Sequence, residues 1–354
     1  MFRRDGPPSG LAIRTLPGVF PQLFQSGVLY ASRGNRVVAS DDIGITWRSV
    51  CALPPTWTDW AARVRLVDRC LNWNILNVAR STSGALMIVG RRTLFRFSAE
   101  DEVPRAVFNT QHKHSPMHRG LCASDRGAIY LAEYRDNSER GSVCVYRSAD
   151  DGRTWDVAHR FLPGEVRHVH AVQQDPYVNN RIWLLTGDLE GECRIGFTTD
   201  DFETIEMVGS GSQLWRATAL LFTREHVYWG MDSPLETSHV QRINLRTGEL
   251  ERLQELDGPA YYGAVNAQGR MFLGTTVESG PAVKDKVARV WTSQDGESWR
   301  ILHEHRASRL PQTGIIYFPS GTLPEDYLIY RCRALAGVDN KAFVCRVPNQ
   351  RLTR

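Results

Sequence analysis

Ten histidines occur in the chain, and five of them, His112, His114, His118, His168 and His170, crowd into one stretch before its midpoint. His168 and His170 are two apart, which puts both on one side of a β-strand, where imidazoles can take up a proton or ligate a metal. Arg119 and Arg216 could grip a carboxylate, while Glu133, Asp188, Asp232 and Glu278 supply carboxyls and Tyr134 and Tyr262 supply phenols. A neutral histidine among cationic groups is what removal of a carbon-bound proton beside a carboxylate demands. Paired carboxyls instead suit glycoside hydrolysis. Each residue also has a plain use: Arg216 could pair with Asp232 and Arg119 with Glu133 between adjacent sheets, and the histidines and tyrosines could be hydrogen-bonded inner-strand residues.

These positions are far apart in sequence, so a repeating fold must gather them. Seven stretches of short strand, turn and β-rich strand occur at 21–32, 73–91, 118–135, 167–188, 215–232, 261–278 and 312–331. Each contains a run such as Val28-Leu29-Tyr30-Ala31 or Arg270-Met271-Phe272-Leu273, too short for a helix and bounded by turn residues. The units recur about every 48 residues, the length of four short strands with their turns. They predict an all-β fold: a single seven-bladed β-propeller of four-stranded antiparallel blades spanning 1–354, with six blades as the alternative. The last unit offers only three strands, so the segment 11–16 is expected to complete its sheet and close the ring.

A second repeat marks the turns. Ser40-Asp41-Asp42-Ile43-Gly44-Ile45-Thr46-Trp47 and Ser148-Ala149-Asp150-Asp151-Gly152-Arg153-Thr154-Trp155 share S-x-D-x-G-x-T-W. Weaker copies lie at 198–205, with Phe202 in place of glycine, and at 292–299, with Gln294 aligned to the aspartate. Asp can bind the amides of the turn, Gly can adopt positive φ and Trp can bury its ring, so the motif reads as a hairpin clamp without chemistry of its own. It resembles the Asp-box, or BNR repeat, of sialidase-like β-propellers. In an up-and-down blade these strand 3 to strand 4 turns mark one end of the ring. The residues that open strand 1 or close strand 2, the candidates above together with Asn74, Arg91 and Arg331, lie at the other, where the pocket is expected.

The family resemblance implies an acidic-glycan substrate. Sialidases of this kind use three arginines, a Tyr-Glu nucleophile and an acid/base aspartate, for which Arg119, Arg216 and Arg331 with Tyr262 or Tyr134 are the available residues. Their Arg-Ile-Pro motif is absent, with Ile13-Arg14-Thr15-Leu16-Pro17 as a loose echo. The concentration of histidines looks more similar to propeller-fold polysaccharide lyases. That resemblance implies His168 or His170 as base, Tyr134 or Tyr262 as proton donor, Glu133 as a further acid or base, and Arg216 with Arg119 as carboxylate clamp. His118, Asp188, Asp232 and Glu278 would contact substrate. No cofactor is expected; a divalent metal, if one binds, would sit on His118, His168 and His170. The expected activity is that of a lyase or glycoside hydrolase on an acidic, uronate- or sialate-type oligosaccharide, with a non-catalytic carbohydrate-binding or protein-interaction propeller as the alternative. Trp57, Trp60, Trp73 and Trp215 could stack on sugars, but blade packing is their commoner use.

Composition narrows the partners. The chain has 354 residues, 42% hydrophobic and 23% charged, with net charge +4, as in ordinary globular proteins. Its basic residues are nearly all arginines interspersed with acids. No basic stripe forms, so neither nucleic acid nor an anionic membrane is an expected partner. Oligomeric state is left open. Seven cysteines without C-x-x-C spacing read as reduced thiols. Residues 1–10 carry Arg3, Arg4 and two prolines but no signal-like apolar core. They read as a flexible tail, and the protein as cytoplasmic.

Overall fold

The computed structural model describes residues 12–54, 75–90, 92–110, 116–308 and 312–348. The sequence readings at 1–10, Trp57, Trp60, Trp73, Asn74, Arg91, His112 and His114 lie outside them. Twenty-eight strands form seven four-stranded antiparallel sheets, a seven-bladed propeller rather than the six-bladed alternative. Six sheets use four consecutive strands. The seventh combines Ile315–Tyr317, Tyr327–Arg333 and Ala342–Arg346 with the N-terminal strand Ile13–Leu16, which pairs from Ile13 opposite Cys345 to Leu16 opposite Ala342. The ring therefore closes as the spare strand predicts, with Ile13–Leu16 as the outer strand of the closing sheet, covering the edge of Ala342–Arg346.

Burial follows position in the blade. The second strands Leu86–Gly90 and Ile182–Gly187 are buried at every residue and read as continuous apolar runs, whereas the outer strand Arg105–Asn109 has no buried residue. Apolar side chains fill the spaces between adjacent blades. Val37 and Ile88 belong to one apolar cluster shared by blades one and two, Met87 and Leu131 to one shared by two and three, and Trp183 and Trp229 to one shared by four and five. First strands touch first strands of neighbouring blades, as Phe20–Gln25 touches Ile75–Arg80, so they form the inner ring. A 3-10 turn, Gln213–Trp215, is the one helical element among the described residues. No described helix is long and apolar enough to cross a membrane. The six described cysteines are free thiols, five of them buried.

The clamped turns lie between third and fourth strands, as the sequence predicts. Asp42 Oδ1 accepts the amide hydrogens of Ile45 (3.0 Å) and Thr46 (2.8 Å), and Asp150 Oδ1 those of Arg153 (3.0 Å) and Thr154 (2.8 Å). Phe202, which replaces the glycine of the third turn, holds φ of 76°. Backbone strain of that kind costs on the order of 1–3 kcal/mol, and it is offset by a ring buried against Tyr130. The fourth turn corrects its sequence alignment. Asp295, not Gln294, is the clamp: its Oδ1 accepts from Glu297 N (2.9 Å) and Ser298 N (2.8 Å), because Gly296 follows it directly and the turn is one residue shorter. Arg14, far from any arginine triad, donates to Gly44 O (2.7 Å) and Ile43 O (2.5 Å) and ties the closing strand to the first turn.

Candidate functional site

The inner strand of blade four, His168–Gln174, carries both histidines and a β-bulge. Val169 pairs with Thr186 and Ala171 with Leu185, so His170 has no residue opposite it. Bulges re-aim a side chain, and the same irregularity recurs at Gln22, Leu76 and Tyr261 in other inner strands. The strand paired with it ends at Gly187, where a Cβ would lie 2.9 Å from His170 Cε1. Only glycine lets the imidazole settle there. Asp188 follows and reaches the same point.

His168 Nδ1 donates to Arg135 O and His170 Nδ1 to Ala217 O, each at 2.9 Å. A carbonyl can only accept, so both tautomers are set with the hydrogen on Nδ1. The Nε2 atoms then face each other at 3.1 Å and lie 3.2 Å (His168) and 3.1 Å (His170) from the oxygens of Asp188. Arg216 Nη2 approaches Asp188 at 2.9 Å and Arg167 Nη1 at 3.2 Å. Burial pushes the Asp188 carboxyl up, but its contacts with the two imidazoles, which donate from Nε2 only once a ring takes up a proton, outweigh it and hold Asp188 well below the carboxylate range. Burial also lowers His170, against the opposing pull of Asp188, so this imidazole favours its neutral form.

Asp232 behaves oppositely. It is 3.3 Å from Arg216 Nε, yet its Oδ1 is buried without a hydrogen-bond partner, and burial with Glu278 nearby raises its carboxyl well above the usual range. The desolvation of a fully enclosed carboxyl exceeds the single arginine contact, which shifts Asp232 toward its protonated form. Tyr134 places its ring 4.2 Å from that of His168, and burial followed by Asp188 and Asp232 raises its phenol. Tyr261 is hydrogen-bonded to Glu278, and burial and Asp232 raise it too. The mouth thus joins blades three to six. Gln213 braces it by donating to Asp188 O (2.8 Å) and accepting from Ser233 Oγ (2.8 Å).

Several sequence expectations are redistributed. His118 does not join the other histidines: its Nε2 donates to Phe318 O at 2.6 Å, and its ring lies among Phe20, Tyr262 and Tyr317. Asp188 replaces it, since His168, His170 and Asp188 each bring one ligand atom within 4.8 Å of the others. Arg119 bonds Ser320 Oγ (2.6 Å) and Gly263 O (2.8 Å), not Glu133. Glu133 accepts Cys144 N at 2.9 Å within its own blade. Tyr262 stacks on Tyr317 at 5.2 Å in the core, and the neighbouring Tyr261 takes the mouth position. Arg331 lies over Phe20 at 4.1 Å, beside His118 and away from Arg216. Trp215 packs against Trp229 between strands, at 5.5 Å. Arg167 and Tyr261 were missed. Arg167 opens an inner strand and was available to that positional rule; Tyr261 depends on a bulge that alternation hides.

A cavity lies where the sequence reading expects none. A cavity of about 410 Å³ opens at the ends of the inner strands, between Gln25, Arg80, Gln174 and Ser320, on the side of the clamped turns. The polar cluster that could do chemistry is at the opposite end.

No protein-family model and no curated protein sequence matches the chain. Solved structures do. Virginiamycin B lyase from Staphylococcus aureus is 10% identical, with 96% of this chain and 99% of that chain covered and a TM-score of 0.60. An oligogalacturonate lyase in complex with manganese is 10% identical, with 95% and 91% covered and a TM-score of 0.57. The WD40 repeats of RRP9 are 14% identical, with 97% and 99% covered and a TM-score of 0.57. Lyases and a WD40 protein share this propeller, so the likeness establishes the fold alone.

Proposed function

We propose that the histidine mouth is the active site of a carbohydrate-active enzyme that cleaves an acidic oligosaccharide of uronate type by β-elimination, a sialate being a substrate for the hydrolytic reading alone because its carboxylate-bearing carbon has no proton. The observation that carries this reading is the pair of imidazoles whose Nδ1 hydrogens are committed to Arg135 O and Ala217 O, which leaves both Nε2 atoms beside Asp188 and between Arg167 and Arg216. Burial favours the protonated form of Asp232, and Arg216 and Arg167, the latter shared with Asp136, both turn toward Asp188, so the mouth offers guanidinium donors to a substrate carboxylate.

In the elimination, His168 or His170 takes the proton from the carbon next to the substrate carboxylate. The electron pair forms a carbon–carbon double bond, and the bond to the glycosidic oxygen breaks. Tyr134, kept protonated by burial and by Asp188 and Asp232, gives its proton to that oxygen. Arg216 and Arg167, rather than Arg216 and Arg119, steady the charge that develops on the substrate carboxylate. A divalent cation, if bound, would be held by His168, His170 and Asp188 and would supply Lewis acidity toward that carboxylate, in place of the base role of the two Nε2 atoms it would occupy.

One observation favours hydrolysis as a second reading: protonated Asp232 beside Glu278 is a candidate acid with a second carboxyl nearby. Both readings are tested by incubating the protein with uronate- and sialate-containing oligosaccharides while following absorbance of an unsaturated product and release of reducing ends. Absorbance supports elimination, and reducing ends without it support hydrolysis. Silence on both, with binding retained, replaces the enzyme by a non-catalytic carbohydrate-binding or interaction propeller.

A further inference from the structure

The cavity at the clamped-turn end has a chemistry of its own. Its walls include Arg80 and Arg119 and no aspartate or glutamate. Among the described residues neither arginine forms an ion pair. Arg119 spends its terminal nitrogens on neutral oxygens, those of Ser320 Oγ (2.6 Å), Gly263 O (2.8 Å) and Pro319 O (3.2 Å), and its Nε is buried without an acceptor. Burial lowers the Arg119 guanidinium to about 10, the mark of a cation that no anion compensates. Gln174, on the same wall, donates through Nε2 to Asp175 O at 2.9 Å, while its buried Oε1 receives no hydrogen bond. Thr322 stands exposed at the edge.

These features specify a ligand. Two guanidiniums without a counterion call for an anion, and an unused amide acceptor calls for a hydroxyl donor beside it. The volume of about 410 Å³ lies within the range of small-molecule pockets, roughly 300–1,000 Å³. We propose that this cavity binds a small hydroxylated carboxylate of monosaccharide size, its carboxylate between Arg80 and Arg119 and a hydroxyl on Gln174 Oε1, at a site separate from the histidine mouth. The proposal stands on this cavity's own residues and is independent of the reaction assigned to the other end.

Calorimetric titration with D-galacturonate tests it, with D-galactose as the uncharged control. Galacturonate should bind at least tenfold more tightly than galactose. Arg80→Gln should weaken galacturonate about tenfold, and Thr322→Trp, which places a ring at the exposed edge without entering the core, should abolish this binding while leaving the melting temperature unchanged. His170→Ala should leave it intact. Equal binding of the two sugars, wild-type affinity in both cavity variants, or complete loss of binding in His170→Ala would each overturn the proposal. Because oligosaccharide cleavage is read separately, an inactive protein that still shows binding sensitive to Arg80→Gln would refute the proposed reaction and leave this site standing.

Discussion

His168 and His170 hold their Nε2 atoms 3.1 Å apart while both Nδ1 hydrogens are committed to main-chain carbonyls. A hydrogen bond at that separation needs a proton, and the fixed tautomers supply none, so a single added proton is shared between the rings with Asp188 as its counterion. The pair is built to accept one proton.

Replacing His170 by glutamine should remove that capacity while keeping most of the volume. Turnover of a cleaved oligosaccharide should fall by about 10²–10⁴ with a small change in KM. The rate should rise with pH through a transition below the ordinary histidine value, since the neutral imidazole is the base and burial lowers His170. A variant with undiminished turnover would remove the histidines from the mechanism.

Asp188→Asn and Asp232→Asn should separate in urea unfolding. Ionised Asp188 compensates the largely enclosed Arg216 and shares Arg167 with Asp136, so its loss leaves Arg216 without an ionised partner and should cost on the order of 3–5 kcal/mol. Burial favours the protonated form of Asp232, so its amide should cost under about 1 kcal/mol. Equal losses would contradict the opposite charge states.

Gly187→Ala should cost about 1–3 kcal/mol through overpacking, because its methyl would sit 2.9 Å from His170 Cε1 and the ring is anchored at Ala217 O. Turnover should fall further than stability alone explains. Guanidinium unfolding and initial rates on the same preparation would show whether the two effects part.

Acid should destabilise the protein before most carboxylates titrate. Burial lowers His118 to about 3 and His303 and His305 to about 4, and His170 is lowered as well. Lowered histidines bind protons more readily once unfolded, so their stabilisation is complete above pH ~6.5 and is lost as pH falls through the window down to about 3, on the order of 10 kcal/mol in all. Melting temperature measured from pH 8 to 4 should decline, and His118→Phe should flatten part of that decline. A flat profile in the wild type would show that these rings are hydrated.

The blade count, the closing strand and the position of the clamped turns were legible in the sequence, because strand patterning and turn chemistry are local: Asp42 and Gly44 are two residues apart, and any fold containing that hairpin uses them in the same way. The first and second strands also located His168, His170, Asp188, Arg216 and Asp232 at one end of the ring. What tertiary structure alone decided is which of the polar residues meet. His118 went to the aromatic core and Arg119 to Ser320, while Arg167 and Tyr261 entered the mouth. One extra residue in an inner strand turns a side chain by half a step, and the charge state of Asp232 depends on how completely neighbouring blades exclude water from it. Neither a bulge nor an enclosure is written in the order of residues: the bulge is set when two strands of one blade pair, and the enclosure when separate blades close against one another.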